Sequence, residues 1–333
     1  MKATATTNAN IALIKYWGRR NDELVLPTNN SISFTMDDQL KTITTVEFDE
    51  KLKEDQLFID EEVAKKKEVE RASKFLDVVR QMAKINTRAK VHSQNSFPRS
   101  AGLASSASAF AALAVAASNA AGLKLDQKQL SMLARRGSGS ASRSIHGGAV
   151  EWIAGSKEDG SDCFAKQLSS EGKWTHLRNV IAITNSHEKK VGSADGMKQT
   201  IKSSPLYKAR LASVEERLKI VRNAIETVDF ESMASAIMQE SNNMHATMMD
   251  SWPPIVYLNS TSFEIIEKVL ELNSRYGKNV AAYTFDAGPN AHVYTTAKYE
   301  KEIFEMLQGM NGVEKVMIAK VGEGAKTLNK HLF

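Results

Sequence analysis

Cysteine is almost missing from this chain: one residue, Cys163, stands among 333. A single thiol excludes an intramolecular disulfide framework and fits a reducing compartment, so a cytoplasmic location is expected. Long apolar runs are missing too. No window reaches ~18 uninterrupted apolar residues, so no membrane span is expected. The mildest stretch, residues 109–121, is alanine-rich and broken by Ser118 and Asn119. The opening MKATATTNANIALIKYW has neither a long apolar core nor a cleavage signature, so no secretory signal is expected. A strong charge bias is absent as well. The 44 Lys and Arg residues against 39 Asp and Glu leave only +5. The excess is interleaved with acids, as over 51–71, and comes without zinc spacing or basic heptads. This reads against nucleic acid as a partner and suits an anionic small molecule.

What is present is an ordinary globular mixture, 42% hydrophobic and 25% charged. The length exceeds what one core usually holds, so two domains are expected, 1–178 and 179–333. Residues 10–14 read as a buried strand, and 30–36 and 41–48 alternate as strands. Short strands are expected over 56–59 and 89–93. Apolar residues at helical spacing predict a helix over 61–84, and Asp126 is an N-cap for another over 127–135. Over 205–228, Leu211, Val214, Leu218, Val221 and Ile225 share one helical face. Helices over 230–249 and 262–276 follow, the second ended by Gly277. The methionines of the first read as core filler. Strands over 179–184, 280–285, 291–295 and 313–319, with a helix over 299–310, complete an α+β sandwich.

Four stretches carry chemistry. FPRSAGLASSASAFAALAVAASNAAG, residues 97–122, is a loop of small residues that opens an alanine-rich helix. Converging amides and a helix N-terminus make an anion site, so it reads as a phosphate cradle; the plain alternative is a tightly packed core helix. It is not the GxxxxGK[ST] pattern. Ser105 and Ser106 fall near the helix start. NIALIKYWGRR, residues 10–20, gathers Lys15, Tyr16, Trp17, Arg19 and Arg20 around Gly18 at a strand end, which suits a phosphorylated substrate or forms an anchored turn. RRGSGSASRSIHGGAVEW, residues 135–152, brackets Ser138, Ser140, Ser142 and Arg143 with glycines. Glycines permit close approach, and the guanidinium can grip a carboxylate or phosphate. In YTFDAGPN, residues 283–290, Asp286 sits at a tight turn, where a carboxylate taken alone is a turn-maker.

Taken together and in order, these stretches resemble the diphosphomevalonate decarboxylases of the GHMP kinase superfamily. The resemblance runs from 4 to about 319. NIALIKYWGRR looks like the family's N-terminal signature, and PRSAGLASSASA like its ATP-phosphate loop. RRGSGSASRSIHGGAVEW looks like its substrate loop, and FDAGPNAH like the segment with its catalytic aspartate. The resemblance implies the GHMP kinase fold: an N-terminal ribosomal-S5-domain-2-like, ATP-binding domain and a C-terminal ferredoxin-like α/β sandwich, as a homodimer. It implies ATP and Mg2+, with magnesium bridging ATP oxygens and no metal ligand named from the chain. It implies phosphorylation of the C3 hydroxyl of mevalonate 5-diphosphate, then loss of phosphate and CO2 to give isopentenyl diphosphate.

The same resemblance implies roles. Asp286, Lys15 and Ser105 are expected to be catalytic. Tyr16, Trp17, Gly18, Arg19, Ser138, Gly139, Ser140, Ala141, Ser142, Arg143 and Ala194 are expected to bind substrate. Ala104, Ser105, Ser106, Ser108, Lys189 and Lys190 are expected to bind ATP. Asp286 either favours a carbocation-like centre or orients and deprotonates the hydroxyl. The chain departs from the family at four places. Arg19 replaces a usual lysine and Ser142 a frequent cysteine. Ala194 stands where relatives often carry Arg or Thr, and FIDEE at 58–62 replaces an Asn-Gly turn with a basic residue. The last two keep mevalonate 5-phosphate as an alternative substrate.

Overall fold

A computed structural model describes residues 1–97, 105–184 and 191–333 of the chain. Its helices are α1 (Lys66–Ala83), α2 (Ser105–Ala120), α3 (Gln127–Gly137), α4 (Ser193–Ser203), α5 (Leu206–Thr227), α6 (Phe230–Met249), α7 (Ser260–Tyr276) and α8 (Glu300–Gln308). Asp126 caps α3 as expected, its side chain accepting from the Gln129 amide. Gly277 ends α7 at φ 63°, in the left-handed region where a Cβ is unfavourable. The expected strands over 30–36, 41–48 and 56–59 are Ser31–Thr35, Lys41–Asp49 and Gln56–Ile59.

The first half is built on two sheets. A six-stranded sheet runs, in spatial order, Lys326–Leu328, Lys2–Asn8, Lys41–Asp49, Arg88–Asn95, Gln56–Ile59 and Glu62–Val63. α1 and α2 cover one face, burying Phe75, Leu76, Val79 and Phe110 with Ala3, Ala5, Val46 and Val91. α2 succeeds there because its residues are small: nearly every alanine from 107 to 120 is buried, so the helix lies close on the strands. A second sheet, in the order Ala165–Ser169, Ala149–Trp152, Ser31–Thr35 and Asn10–Ile14, carries the site loops at its end.

The second half holds an antiparallel sheet in the order Ala281–Phe285, Ala291–Thr296, Leu177–Ile183 and Lys315–Ala319. α6 and α7 cover it, and Val214, Leu218, Val221 and Ile225 of α5 are buried against α6 and the second sheet of the first half, as their spacing requires. One apolar cluster joins this layer to the second sheet, from Ile11, Leu13, Ile32 and Phe34 to Val180, Val293 and Ile237. The two halves therefore share a core, and the site lies along that seam. The C-terminal segment leaves the second half again, because Lys326–Leu328 pairs with Lys2–Asn8. Among the described residues, no helix is long and apolar enough to cross a membrane.

Candidate active site

Lys15 is the first residue past strand Asn10–Ile14, and its side chain is 2% exposed. Its Nζ lies 2.7 Å from Asp286 Oδ1. Asp286 follows strand Ala281–Phe285, and its carbonyl accepts from the Gly288 amide at 2.8 Å, which closes the turn. The Phe285 amide is held by Ser241 Oγ at 3.0 Å, and the Pro289 carbonyl accepts from Ser262 Oγ at 2.8 Å. The aspartate thus stands on a turn fixed from both sides. About a third of its side chain, 32%, is exposed, so it opens toward a ligand while Lys15 closes its back.

Each member of this pair shifts the other's titration. Burial pushes the Lys15 ammonium down from its ordinary value, and Asp286 opposes that shift. Burial would push the Asp286 carboxyl up, yet Lys15 reverses this and holds it below the usual carboxylate range. His245 and His292 flank the pair and stay neutral, each lowered to about 4 by burial.

Arg143 sits in the 3-10 helix Gly139–Ile145 and is almost wholly buried. Burial lowers it to about 10, and Asp286 and Tyr16 oppose this. Its Nε donates to Asn10 Oδ1 and Ser33 Oγ, both at 3.0 Å, and its Nη1 to Ser31 Oγ at 2.5 Å. Among the described residues, one Nη1 hydrogen and both Nη2 hydrogens remain for a ligand. The serine hydroxyls form a chain: Ser106 at the start of α2 meets Ser138 at 3.3 Å, and Ser138 meets Ser140 at 3.3 Å. This chain joins the small-residue helix to the glycine-bracketed loop. Tyr16 packs edge-on to Trp152, centroids 4.9 Å apart, and accepts from Arg19 Nε at 2.5 Å. A Cβ on Gly139 would lie 2.7 Å from the Tyr16 ring, so that glycine is required for the approach.

Several expected residues turn their side chains into the scaffold. Ser108 is fully buried, its hydroxyl engaged with Thr42 Oγ1 at 2.7 Å and the Ser105 carbonyl. Ala141 is core, and Ser142 turns its hydroxyl onto the Gly139 carbonyl at 2.7 Å. Trp17 is buried among Met197, Met244, Met248, Ile255 and Tyr257, with Nε1 on Thr200 Oγ1 at 3.1 Å. Gly18, at φ 133°, lets Tyr207 approach: a Cβ there would sit 1.8 Å from its hydroxyl. Ser105 opens α2, half-buried, and Ala194 is exposed in the first turn of α4. Ala104, Lys189 and Lys190 lie outside the described residues.

Sequence reasoning missed three groups. Ser31, Ser33 and Asn10 hold Arg143 but read only as strand residues. Arg71 of α1 donates to the Gly137 carbonyl at 2.8 Å and lies 4.5 Å over the Phe110 ring. Burial, then the neighbouring Arg19 charge, lowers it, which places a further cation beside the site. Glu240 of α6 is fully buried between Arg210 and Arg217 of α5. The one available signal was charge on an apolar face: Arg210 and Arg217 are seven apart and flank Val214.

The family model described as "Diphosphomevalonate decarboxylase-like N-terminal domain" matches residues 7–165, and "Mevalonate 5-diphosphate decarboxylase C-terminal domain" matches 179–330. Human diphosphomevalonate decarboxylase is 41% identical over 88% of this chain and 76% of its own length. The Saccharomyces cerevisiae enzyme is 39% identical over 93% and 81%. The crystal structure of mevalonate diphosphate decarboxylase from Staphylococcus aureus superposes with a TM-score of 0.92 at 37% identity, covering 98% of each chain. The Enterococcus faecalis enzyme, whose structure concerns mevalonate-diphosphate-mediated ATP binding, gives 0.91 at 37% identity over 99% of each. The fold is accordingly α+β of the GHMP kinase type, and the chain belongs to the diphosphomevalonate decarboxylase family.

Proposed function

We propose that this chain catalyses the ATP-dependent decarboxylation of mevalonate 5-diphosphate to isopentenyl diphosphate. The observation that carries it is the Lys15–Asp286 pair, 2.7 Å apart and electrostatically coupled to Arg143, at the seam where all four stretches meet. A tertiary hydroxyl is a poor leaving group, and phosphorylation by ATP makes it a good one. Asp286, held ionised, orients the C3 hydroxyl by accepting its hydrogen bond, the hydroxyl proton passes to a phosphate oxygen as the phosphoryl group transfers, and the carboxylate, still negative, then faces the positive charge that develops as phosphate departs. The carboxylate's C–C electrons form the double bond and CO2 leaves. Lys15 offers its ammonium to the transferring phosphoryl oxygens. The free N–H groups of Arg143 bind the substrate carboxylate, with Ser138 and Ser140 beside it.

The residues fit ATP and magnesium. Ser105 and Ser106 open α2, whose first amides suit phosphate. Among the described residues, no three His, Cys, Asp or Glu side chains gather as a metal cage, so magnesium would be held chiefly by phosphate oxygens. There it would neutralise charge on the transferring group. Arg19 and Arg71 supply cations for the 5-diphosphate. Lys198, which pairs with Asp22 at 3.6 Å as Arg19 does, adds one where Ala194 has none. A domain division at 178/179, a homodimer and a cytoplasmic location belong to the same reading and rest on the family likeness. The test is kcat/KM for mevalonate 5-diphosphate against mevalonate 5-phosphate at equal ATP and magnesium. A ratio well above one is expected. A ratio below one overturns the 5-diphosphate as substrate.

A further inference from the structure

We propose that Glu240, behind the site rather than in it, is the positioning residue for Lys15: it anchors the Lys15 main chain and supplies the negative charge at its back. Lys15 has left the ladder of strand Asn10–Ile14, so its backbone depends on side chains. Its amide donates to Glu240 Oε1 at 3.0 Å. Its carbonyl accepts from Asn29 Nδ2 at 3.1 Å and Arg210 Nη2 at 3.4 Å. Glu240 is itself clamped: Oε1 accepts from Arg210 Nη2 at 2.6 Å and Oε2 from Arg217 Nε at 2.7 Å. Asn243 of the same helix accepts from Arg210 Nη1 at 2.8 Å. Glu240 and Arg210 are completely buried. A buried triad of two cations and one anion adds little net stability, because desolvation offsets the attraction. Its geometry serves Lys15, gripping from the second domain a residue that the first domain supplies.

The charges acting on Lys15 come from every side. Asp286 faces it from the end of strand Ala281–Phe285, and Arg143 from the turn Gly139–Ile145. His245 of α6 and His292 of strand Ala291–Thr296 lie near it, both neutral above about 4. Tyr16 is its chain neighbour, held neutral by burial, and Arg210 of α5 reaches its carbonyl. Asp286 and Glu240 are the anions that favour the ammonium. Removing the Glu240 charge therefore makes Lys15 lose its proton at lower pH. Removing Arg217, which neutralises Glu240, does the reverse.

This inference rests on the proposed reaction for its assay. The experiment measures kcat across pH for the wild type, Glu240→Gln and Arg217→Gln, with ATP and mevalonate 5-diphosphate. Glu240→Gln is expected to lower kcat at least tenfold, keep the KM for ATP within threefold, and move the alkaline fall in kcat to lower pH. Arg217→Gln is expected to move that fall to higher pH. Simple loosening of the fold lowers kcat in both without reversing the sign. Shifts of the same sign, or none, overturn the proposal. So does a wild-type profile flat up to the ordinary lysine value of ~10.4. If Glu240→Gln does not fold, Arg217→Gln decides alone: an upward shift supports the proposal, and no shift or a downward one overturns it. A wild type that releases no CO2 fails the functional reading itself and takes this proposal with it. That result is distinct from an active wild type whose pH profile the variants share.

Discussion

Replacing Asp286 by asparagine tests the centre of the site with little change of shape. Asparagine can still accept from Lys15 Nζ, 2.7 Å from the native carboxylate oxygen. What disappears is the negative charge that faces C3, together with the counter-charge of an ammonium that is 2% exposed. Removal of one preorganised electrostatic group costs ~3–4 kcal/mol in the transition state, about a hundred- to a thousandfold in kcat. Lys15 adds to the loss, because without its partner burial favours the neutral amine. Binding is less affected: Arg143, Ser138 and Ser140 keep their own partners, so both KM values stay within a few-fold. The melting temperature falls as well, because an ammonium that is 2% exposed loses its counter-charge, a loss limited by the 32% of the aspartate side chain that solvent reaches. The assay follows CO2 and ADP release in steady state and in a single turnover, with a melting curve on the same sample. A folded Asp286→Asn protein that turns over at near the normal rate removes this aspartate from the mechanism.

Arg143→Lys should raise the substrate KM more than tenfold and leave that for ATP within about threefold, since an ammonium cannot replace a fork held by Asn10, Ser31 and Ser33. A raised KM for ATP alone would put the loop on the other ligand. Gly18→Ala meets Tyr207 Oη at 1.8 Å and a φ of 133°, and should cost ~2–3 kcal/mol or more. Adding Tyr207→Phe should restore only part of the melting temperature, because the ring Cζ is still 2.9 Å away. A Gly18→Ala protein melting with the wild type would contradict this. Stability should also fall as pH drops from about 6.5 to 4. Burial lowers His245 and His292 to about 4, so the unfolded chain takes up their protons first. The limit is about 3 kcal/mol per ring, present above pH 6.5 and lost below it. A melting temperature flat across this window, or unchanged in its slope by His245→Gln with His292→Gln, would count against it.

Where one segment carries its own signal, the sequence was a good guide. α5 follows from apolar spacing and the end of α7 from Gly277, whereas Asp286 by its local pattern reads as a turn-maker. Lys15 and Asp286, 271 residues apart, came together through family resemblance, not local pattern. The Glu240 triad stayed hidden because its bonds join α5 to α6 across 23 to 30 residues, and a lone acid among methionines announces nothing. α4 was missed because SADGMKQTIKS carries few apolar residues, and its packing comes from Trp17 in the other half. Strands Ala149–Trp152 and Ala165–Ser169 are short and gain their stability from neighbours already in place. Trp17, Ser108 and Ser142 sit inside signature stretches, yet their side chains pack the scaffold.

The most direct measurement is product stoichiometry. With mevalonate 5-diphosphate, ATP and magnesium, the account predicts one ADP, one phosphate and one CO2 for each isopentenyl diphosphate formed. ADP formed with a stable 3-phosphorylated acid and no CO2 would make the chain a kinase, and would contradict the role given to Asp286 in the loss of phosphate and carboxylate.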